Sequence, residues 1–367
     1  MLRDSASANS TGLSVILAPT LASRLEGQPN NFGFLRLVAS LIVVFSHSFP
    51  IAGADLNYVF HNPYFGNYPV ECFFVISGLL VTQSFIRGNC SVRRFVIARA
   101  LRIYPALACG VLLSFVLATL CNEFPLAVTL DDRRTWAYLW KNITALEFVP
   151  EFAGAFPGNP IPNGPNGSLW SLPVELRLYV LVAVVGVANI LGRTGIAVVV
   201  LATLAGIFAL ADVWLFHDGH AVFVAAFISG MAAYVLRDYL RLSFGFAALL
   251  LAAFVAAAVL GTVEFARLVF ACCVPYWVLL LSCHTAIPIV KLPGDYSYGI
   301  YVFAFPIQQT VEWLLPDLHV AAFIAVSLGI VLVFAVTSWH WVEAPLLRLK
   351  PRSRTSDLTI HEVKPQR

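Results

Sequence analysis

The stretch FLRLVASLIVVFSHSFP, residues 34–50, is apolar enough to cross a membrane, but it carries Arg36 near one end and His47 near the other. An α-helix rises 1.5 Å and turns 100° per residue, so these two side chains lie roughly 16 Å apart along the axis. They differ by only about 20° in azimuth and therefore share one helix face. The pattern predicts a membrane-spanning helix with two polar groups at different depths.

The composition of the whole chain agrees with a membrane protein. Of its 367 residues, 59% are hydrophobic and only 12% are charged, and the mean hydropathy is +0.81. Soluble domains have a charged fraction near about 25%. We therefore predict an all-α polytopic membrane protein, with the lipid bilayer as its surroundings. The net charge of +3 does not indicate a nucleic-acid partner, and the seven cysteines lack metal-ligand spacing, so we expect no metal site.

Ten segments of the chain are long enough for a hydrocarbon core of about 30 Å. They lie near residues 34–52, 69–86, 96–120, 169–191, 195–212, 220–236, 244–262, 265–284, 297–315 and 319–343. The chain is therefore predicted to form about ten transmembrane helices.

The distribution of basic residues predicts the orientation of these helices, because Lys and Arg in short loops stay on the cytoplasmic side. Most of the 23 Lys and Arg residues fall on one side if the N-terminus is inside. We therefore expect both termini to be cytoplasmic. The predicted organisation is a disordered tail over residues 1–30, a membrane domain over 31–350 and a basic tail over 351–367.

One connection, the predicted outer loop of residues 121–168, is much longer than the others and includes the segment FPGNPIPNGPNGSLW. Loops of this length are usually functional or serve as spacers. Two interpretations remain open for this loop: a lid that contacts substrate, or a solvated connector.

Two ionisable residues are predicted in the outer half of the membrane. His47 lies near the outer end of the first helix, and Glu175 near the outer end of the fourth, which runs the opposite way. Such groups are costly at membrane depth and usually face a cavity or a partner. We expect them to meet, with His47, of unperturbed pKa about 6.5, as a general base and Glu175 orienting its imidazole.

Guanidinium groups gather at the inner boundary. Arg36 opens the first helix, and Arg99 and Arg102 lie one turn apart at the inner start of the third. They suit phosphate groups arriving from the cytoplasm, although arginines at this depth also anchor lipid headgroups. Glu343 is expected to pair with one of these inner arginines.

Ser77 and Tyr298 are two further candidates for the same site. Ser77, with Gly78 beside it, is predicted mid-membrane, where small residues let helices approach closely; contact of Ser77 with an acyl chain is the alternative to packing. Tyr298, at the inner start of the ninth helix, lines a donor site or belongs to an interfacial tyrosine belt.

Six motifs appear in order along nearly the whole chain. They are Arg36 with His47 eleven residues further on, FFVISGLL at 73–80, Arg99 with Arg102, SLWSLPVE at 168–175, DYSYGIYVFAFP at 295–306 and WVEAPLLRL at 341–349. Together they resemble the acyltransferase-3 family of integral membrane acyltransferases, of the type that O-acetylates exopolysaccharide or O-antigen. The fourth motif departs from the family pattern, because Pro173 replaces a serine and Leu176 replaces a second acid.

The resemblance implies ten core helices and an acyltransferase in the inner (plasma) membrane, with no permanently bound cofactor. It implies cytoplasmic acyl-CoA, most often acetyl-CoA, as the donor and a hydroxyl of a glycan or lipid-linked sugar at the outer face as the acceptor. In the family, the residues matching Arg36 and His47 are regarded as essential, and those matching Arg99 and Arg102 are associated with the donor. Direct transfer and an acyl-enzyme intermediate both remain open.

A transporter or glycan flippase is the alternative function, with His47 and Glu175 as a proton relay. Buried ionisable groups often mark proton pathways. However, the sequence has no paired halves that indicate an inverted repeat.

Overall fold

The computed structural model describes residues 20–26, 28–54, 65–192, 194–196, 200 and 220–351. Within these ranges the chain folds into α-helices, and its only bridges of β type are two isolated ones. The helices are α1 (Leu21–Leu25), α2 (Phe32–Ile51), α3 (Tyr68–Arg87), α4 (Val92–Leu120), α5 (Leu126–Asp131), α6 (Arg133–Thr144), α7 (Ser171–Val187), α8 (Ala221–Val235), α9 (Phe244–Leu260), α10 (Val263–Cys283), α11 (Ser297–Leu314), α12 (Val320–Ser338) and α13 (Ala344–Leu347). A π-helical turn, Trp339–Glu343, joins α12 to α13.

Nine of the predicted segments coincide with a helix in the described part of the chain. The prediction for 195–212 falls almost wholly outside the described residues. Among those described, six helical spans are long and apolar enough to cross a membrane, and α8 and α9 are shorter apolar helices. The chain is an all-α polytopic membrane protein, as its composition predicted.

The predicted disordered tail of residues 1–30 is ordered at its C-terminal end, which corrects that prediction. Residues Leu21–Leu25 form α1, and the side chains of Leu21 and Leu25 are buried. The backbone N–H of Leu21 donates to the carbonyl oxygen of Leu240, at 2.8 Å. Local composition could not predict these contacts with the connection that follows α8, because they join segments more than 200 residues apart in the sequence.

The predicted outer loop, residues 121–168, is a folded unit rather than a solvated connector. It contains α5 and α6, and the side chains of Phe152 and Tyr138 are fully buried against each other, with ring centroids 5.5 Å apart. Asn166 fastens it to the helices by donating to Ser114 Oγ of α4 and to the Val302 carbonyl oxygen of α11. Asn166 therefore ties this loop to two of the long helices.

Helix α11 is the centre of the bundle. Most of its side chains between Ser297 and Glu312 are buried, and it packs against α2, α4 and α12. Gln308, one of its two adjacent buried glutamines, donates through Nε2 to the Val44 carbonyl oxygen at 2.9 Å and to Ser48 Oγ at 2.7 Å. These bonds fix the register between α11 and the C-terminal half of α2.

Helices α3 and α8 cross at backbone contact. A Cβ added at Gly78 would overlap the carbonyl oxygen of Phe227, and one added at Gly230 would overlap that of Val75. Small residues allow such close approach in membranes, where packing rather than hydrophobicity drives helix association. The crossing holds the middle of α3 in a fixed position.

Gly78→Ala is therefore expected to destabilise the protein by about 1–3 kcal/mol, because the backbone of α8 cannot move away as a flexible side chain would. The measurement is the unfolding temperature of purified protein in detergent. Gly329→Ala on α12 is the matched control, since nothing lies within 4 Å of the added methyl group. Equal unfolding temperatures for the two variants would contradict the backbone crossing.

Candidate functional site

A cavity of about 290 Å³ lies between α2, α3, α4, α7 and α11 and is closed on one side by the segment after α12. Its polar lining consists of Arg36, Ser77, Arg99, Arg102, Ser171, Glu175, Tyr179, Asp295, Ser297, Tyr298, Tyr301 and Lys350. Apolar side chains of α3, among them Phe73 and Leu80, form much of the remaining wall. The cavity therefore joins a charged end to an apolar interior.

Six of the seven predicted site residues line this cavity. They are Arg36, Ser77, Arg99, Arg102, Glu175 and Tyr298. The seventh, His47, is not part of the lining. The structure thus brings together predicted residues from five helices, but His47 is not among them.

Asp295, which the sequence did not single out, organises the charged end. Its Oδ2 accepts from Arg36 Nη2 at 2.6 Å and from Arg102 Nη2 at 2.8 Å. Burial alone would raise the pKa of Asp295, but these guanidinium groups and the Ser297 hydroxyl outweigh it and hold that pKa below its usual value. An acid two residues before a helix, in a connection whose one other charged residue is Lys291, was the available signal.

Arg102 has a second acidic neighbour, as predicted for Glu343. Its Nη1 lies 3.6 Å from Glu343 Oε2, and the carboxylate is almost completely buried. Tyr298 lies beneath the same guanidinium group, whose carbon is 5.7 Å from the ring centroid, and its hydroxyl donates to the Ile103 carbonyl oxygen. Arg102 is therefore held on three sides.

Arg99 and Lys350 differ from the other two cations, because no carboxylate within the described ranges lies at ion-pair distance from either. The guanidinium carbon of Arg99 lies 5.9 Å from the ring centroid of Tyr179. Burial, with Arg99 and Arg102 nearby, lowers the pKa of Lys350 to about 8. The sequence assigned Lys350 to the end of the membrane domain and gave no indication that it turns back into the cavity.

Ser77, Glu175 and Tyr179 form a hydrogen-bonded cluster in the cavity wall. Glu175 Oε1 accepts from Ser77 Oγ and from the Tyr179 hydroxyl, each at 2.6 Å. The two hydroxyl oxygens are 3.3 Å apart. Tyr179 lies one turn beyond Glu175 on α7, so the two side chains share a helix face.

The expected pairing of Glu175 with His47 is not formed, which corrects that prediction. His47 Nδ1 is buried without a hydrogen-bond partner in the described part of the chain. Its ring packs edge-on against Phe305, with centroids 5.4 Å apart. Counting residues from the helix ends predicted similar depths for both groups, but α7 turns Glu175 toward α3 rather than α2.

Phe305, which contacts His47, lies one helical turn after a residue of the cavity lining. Tyr301, one turn earlier on α11, lines the cavity and donates its hydroxyl to the Ser168 carbonyl oxygen at 2.7 Å. Phe305 follows it on the same face and contacts the imidazole. His47 therefore lies just beyond one end of the cavity, while Arg99 and Lys350 lie at the other.

A family model described as "Acyltransferase domain", Acyl_transf_3, matches residues 30–342. The chain belongs to the acyltransferase-3 family. This acyltransferase is 30% identical over 334 residues to a protein named O-acetyl transferase from Shigella phage Sf6, covering 87% of this chain and 96% of the relative. No solved structure gives a significant match.

A second relative is named Nodulation protein 10 and comes from Rhizobium leguminosarum bv. viciae. It is 28% identical over 362 residues, covering 89% of this chain and 95% of the relative. The protein is thus a multi-pass membrane acyltransferase, an enzyme that requires an acyl donor. This family membership favours the acyltransferase interpretation over the transporter or flippase.

Proposed function

We propose that this acyltransferase moves an acetyl group from cytoplasmic acetyl-CoA to a hydroxyl of a glycan or lipid-linked sugar at the outer face of the inner (plasma) membrane. The cluster of four cations, Arg36, Arg99, Arg102 and Lys350, at one end of a cavity inside the bundle is the observation that carries the proposal. An acetyl group is favoured over larger acyl groups because the phage relative is named an O-acetyl transferase.

The cations divide into two kinds by their partners. Arg36 and Arg102 are held by Asp295, so they line the entrance in fixed positions. Arg99 and Lys350 keep N–H groups that are not committed to a carboxylate of the described chain. Guanidinium and ammonium groups bind phosphate oxygens through charge-assisted hydrogen bonds. Arg99 and Lys350 therefore bind the phosphates of coenzyme A.

The rest of the cavity fits the thioester arm of the donor. Beyond the cations the wall is apolar, with Leu80 and Phe73 of α3, and it contains the polar cluster around Glu175. A chain that enters between the cations with its phosphates outermost presents its acyl end toward Tyr301 and Phe305. His47, which contacts Phe305, is positioned as the general base that takes the proton of the acceptor hydroxyl.

Arg99→Ala is expected to weaken acetyl-CoA binding by about 10–100-fold, since one charge-assisted hydrogen bond contributes about 1.5–3 kcal/mol. The measurement is titration of the purified protein in detergent with acetyl-CoA, together with KM and kcat for transfer. A loss of ground-state binding raises KM and leaves kcat nearly unchanged.

Arg134→Ala is the matched control, because that guanidinium group is exposed and pairs only with Asp132 in the described structure. It is expected to bind acetyl-CoA as the wild type does. Failure of the wild-type protein to bind acetyl-CoA would overturn the proposed donor. Equal affinities in the wild type and Arg99→Ala would remove Arg99 from the donor site.

The affinity for acyl-CoA is also expected to fall as the pH rises through about 8. The pKa of Lys350 is lowered to about 8, so its ammonium group is charged below that pH and neutral above it. The logarithm of kcat/KM for acetyl-CoA reports the free enzyme and should bend downward in this range. Lys350→Arg, which stays charged, should remove the bend; the same bend in that variant would assign it to another group.

A further inference from the structure

The hydroxyl of Ser77 donates to a carboxylate on another helix, whereas five other helical serines are satisfied within their own helix. Five serines donate to a carbonyl oxygen three or four residues earlier in their own helix: Ser40, Ser46, Ser48, Ser114 and Ser229. This is the usual way for a serine to be satisfied inside a membrane helix. Ser77 instead donates to the Glu175 carboxylate across the helix interface at 2.6 Å.

The helix crossing directs Ser77 into the cavity. Gly78 meets the backbone of α8, and Ser77, rotated by 100° on α3, faces the cavity instead. The FFVISGLL motif left two roles open, helix packing and contact with an acyl chain. These roles fall to two neighbouring residues. Gly78 serves packing, and Ser77 presents a hydroxyl to whatever occupies the cavity.

A hydroxyl bonded to a carboxylate is the arrangement of an activated nucleophile. The carboxylate takes the hydroxyl proton as the oxygen attacks, which a helix carbonyl oxygen cannot do. Tyr179 donates to the same Glu175 oxygen and so fixes the orientation of the carboxylate. His47 does not bond this hydroxyl, because its Nδ1 has no hydrogen-bond partner in the described structure and its ring is not part of the cavity lining.

We propose that Ser77 is a catalytic nucleophile that carries the acyl group as an ester, with Glu175 as its general base. Ser77 Oγ attacks the thioester carbonyl carbon, its proton passes to Glu175, and the carbon–sulfur bond breaks. Glu175 returns the proton to the departing sulfur, which releases free coenzyme A. The acceptor hydroxyl then attacks the acyl carbon and gives its proton to His47 while the ester bond breaks. Ser77 Oγ takes a proton from water, and His47 returns its proton to water.

This inference rests on the proposed acyl-CoA donor, and it divides the reaction into two halves. The first half occurs in the cavity between the cations and Ser77 and needs no acceptor. The second half requires the acceptor and the base that contacts Phe305. An enzyme of this kind transfers acyl groups back to coenzyme A in the absence of acceptor, whereas direct transfer does not.

The test is isotope exchange with the purified full-length protein in detergent. Unlabelled acetyl-CoA and isotopically labelled coenzyme A are incubated without acceptor, and the appearance of label in acetyl-CoA is followed. Wild-type protein is expected to catalyse the exchange, and mass spectrometry of its peptides should find one acetyl group on Ser77. Ser77→Ala should abolish the exchange, and Glu175→Gln should slow it by about 10²–10⁴-fold.

Two further variants keep the result interpretable. Ser229→Ala is the matched control, because that hydroxyl donates to its own helix at Ala226, and exchange should be unchanged. Ser77→Cys retains a nucleophile of similar size and should become acetylated on its thiol. Acetylation of Ser77→Cys also tests the nucleophile if Ser77→Ala does not fold.

The outcomes separate this inference from the function on which it rests. Wild-type protein that binds acetyl-CoA but neither exchanges nor acquires an acetyl group transfers directly, which overturns the nucleophile and leaves the donor in place. Folded Ser77→Ala that exchanges at the wild-type rate likewise overturns it. Wild-type protein that does not bind acetyl-CoA overturns both proposals.

Discussion

His47→Ala is expected to lower acyl transfer to the acceptor by about 10²–10⁴-fold, the usual contribution of a general base. The imidazole lies at the end of the cavity opposite the cations, roughly 16 Å along α2 from Arg36. That separation places it out of reach of phosphates bound at the charged end. Binding of acetyl-CoA should therefore be almost unaffected.

The measurement is acceptor acetylation alongside acetyl-CoA titration of the same purified protein. His284→Ala is the control, because that ring lies in an exposed connection and packs on Phe244 rather than at the cavity. Near-normal transfer by folded His47→Ala would remove His47 from catalysis. A defect confined to acetyl-CoA binding would make it a donor-site residue instead.

Asp295→Ala is expected to lower kcat/KM for acetyl-CoA by roughly 100-fold. The substitution removes two charge-assisted hydrogen bonds, each contributing about 1.5–3 kcal/mol to the positions of Arg36 and Arg102. It also leaves two neighbouring guanidinium groups that repel each other. Removing a negative charge also strengthens the attraction for phosphates, by about 2 kcal/mol for charges roughly 8 Å apart at an effective dielectric constant of about 20, which is less than the two lost hydrogen bonds contribute together. Misplacement of the arginines should therefore prevail.

Asp295→Glu should recover part of the loss, because it restores a carboxylate with a longer arm. Asp132→Ala is the matched control, because its ion pair with Arg134 is exposed and neither residue lines the cavity. It should leave kcat/KM unchanged. An increase in acetyl-CoA affinity on Asp295→Ala would show that charge, rather than arginine position, dominates at this end.

The helices were predictable because membrane insertion is decided locally. The free energy of placing a segment in hydrocarbon sums over its own residues. The first segment, predicted at residues 34–52, is Phe32–Ile51, and the last is predicted at 319–343 where α12 and its π-helical turn cover Val320–Glu343. The order of motifs likewise indicated the acyltransferase-3 family before any contact was known.

The contacts between the site residues were harder to predict from the sequence than the helices were. Depth in the membrane follows from counting residues along a helix, which brought Arg36, Arg99 and Arg102 to one boundary. The direction in which a side chain points depends on which helices pack side by side. That is why Glu175, placed at the depth of His47, was assigned the wrong neighbour and bonds instead with Ser77.

The sequence by itself therefore determined the class of protein, most helix boundaries, the family and six residues that line one cavity. Only the tertiary structure decided that Asp295 joins Arg36 to Arg102, that Lys350 lines the cavity, and that His47 packs on Phe305 and does not line it. The physical reason is that hydropathy and helical periodicity act over one turn or one segment. Ion pairs and cavity walls, in contrast, join residues that are hundreds of positions apart, and only helix packing brings them together.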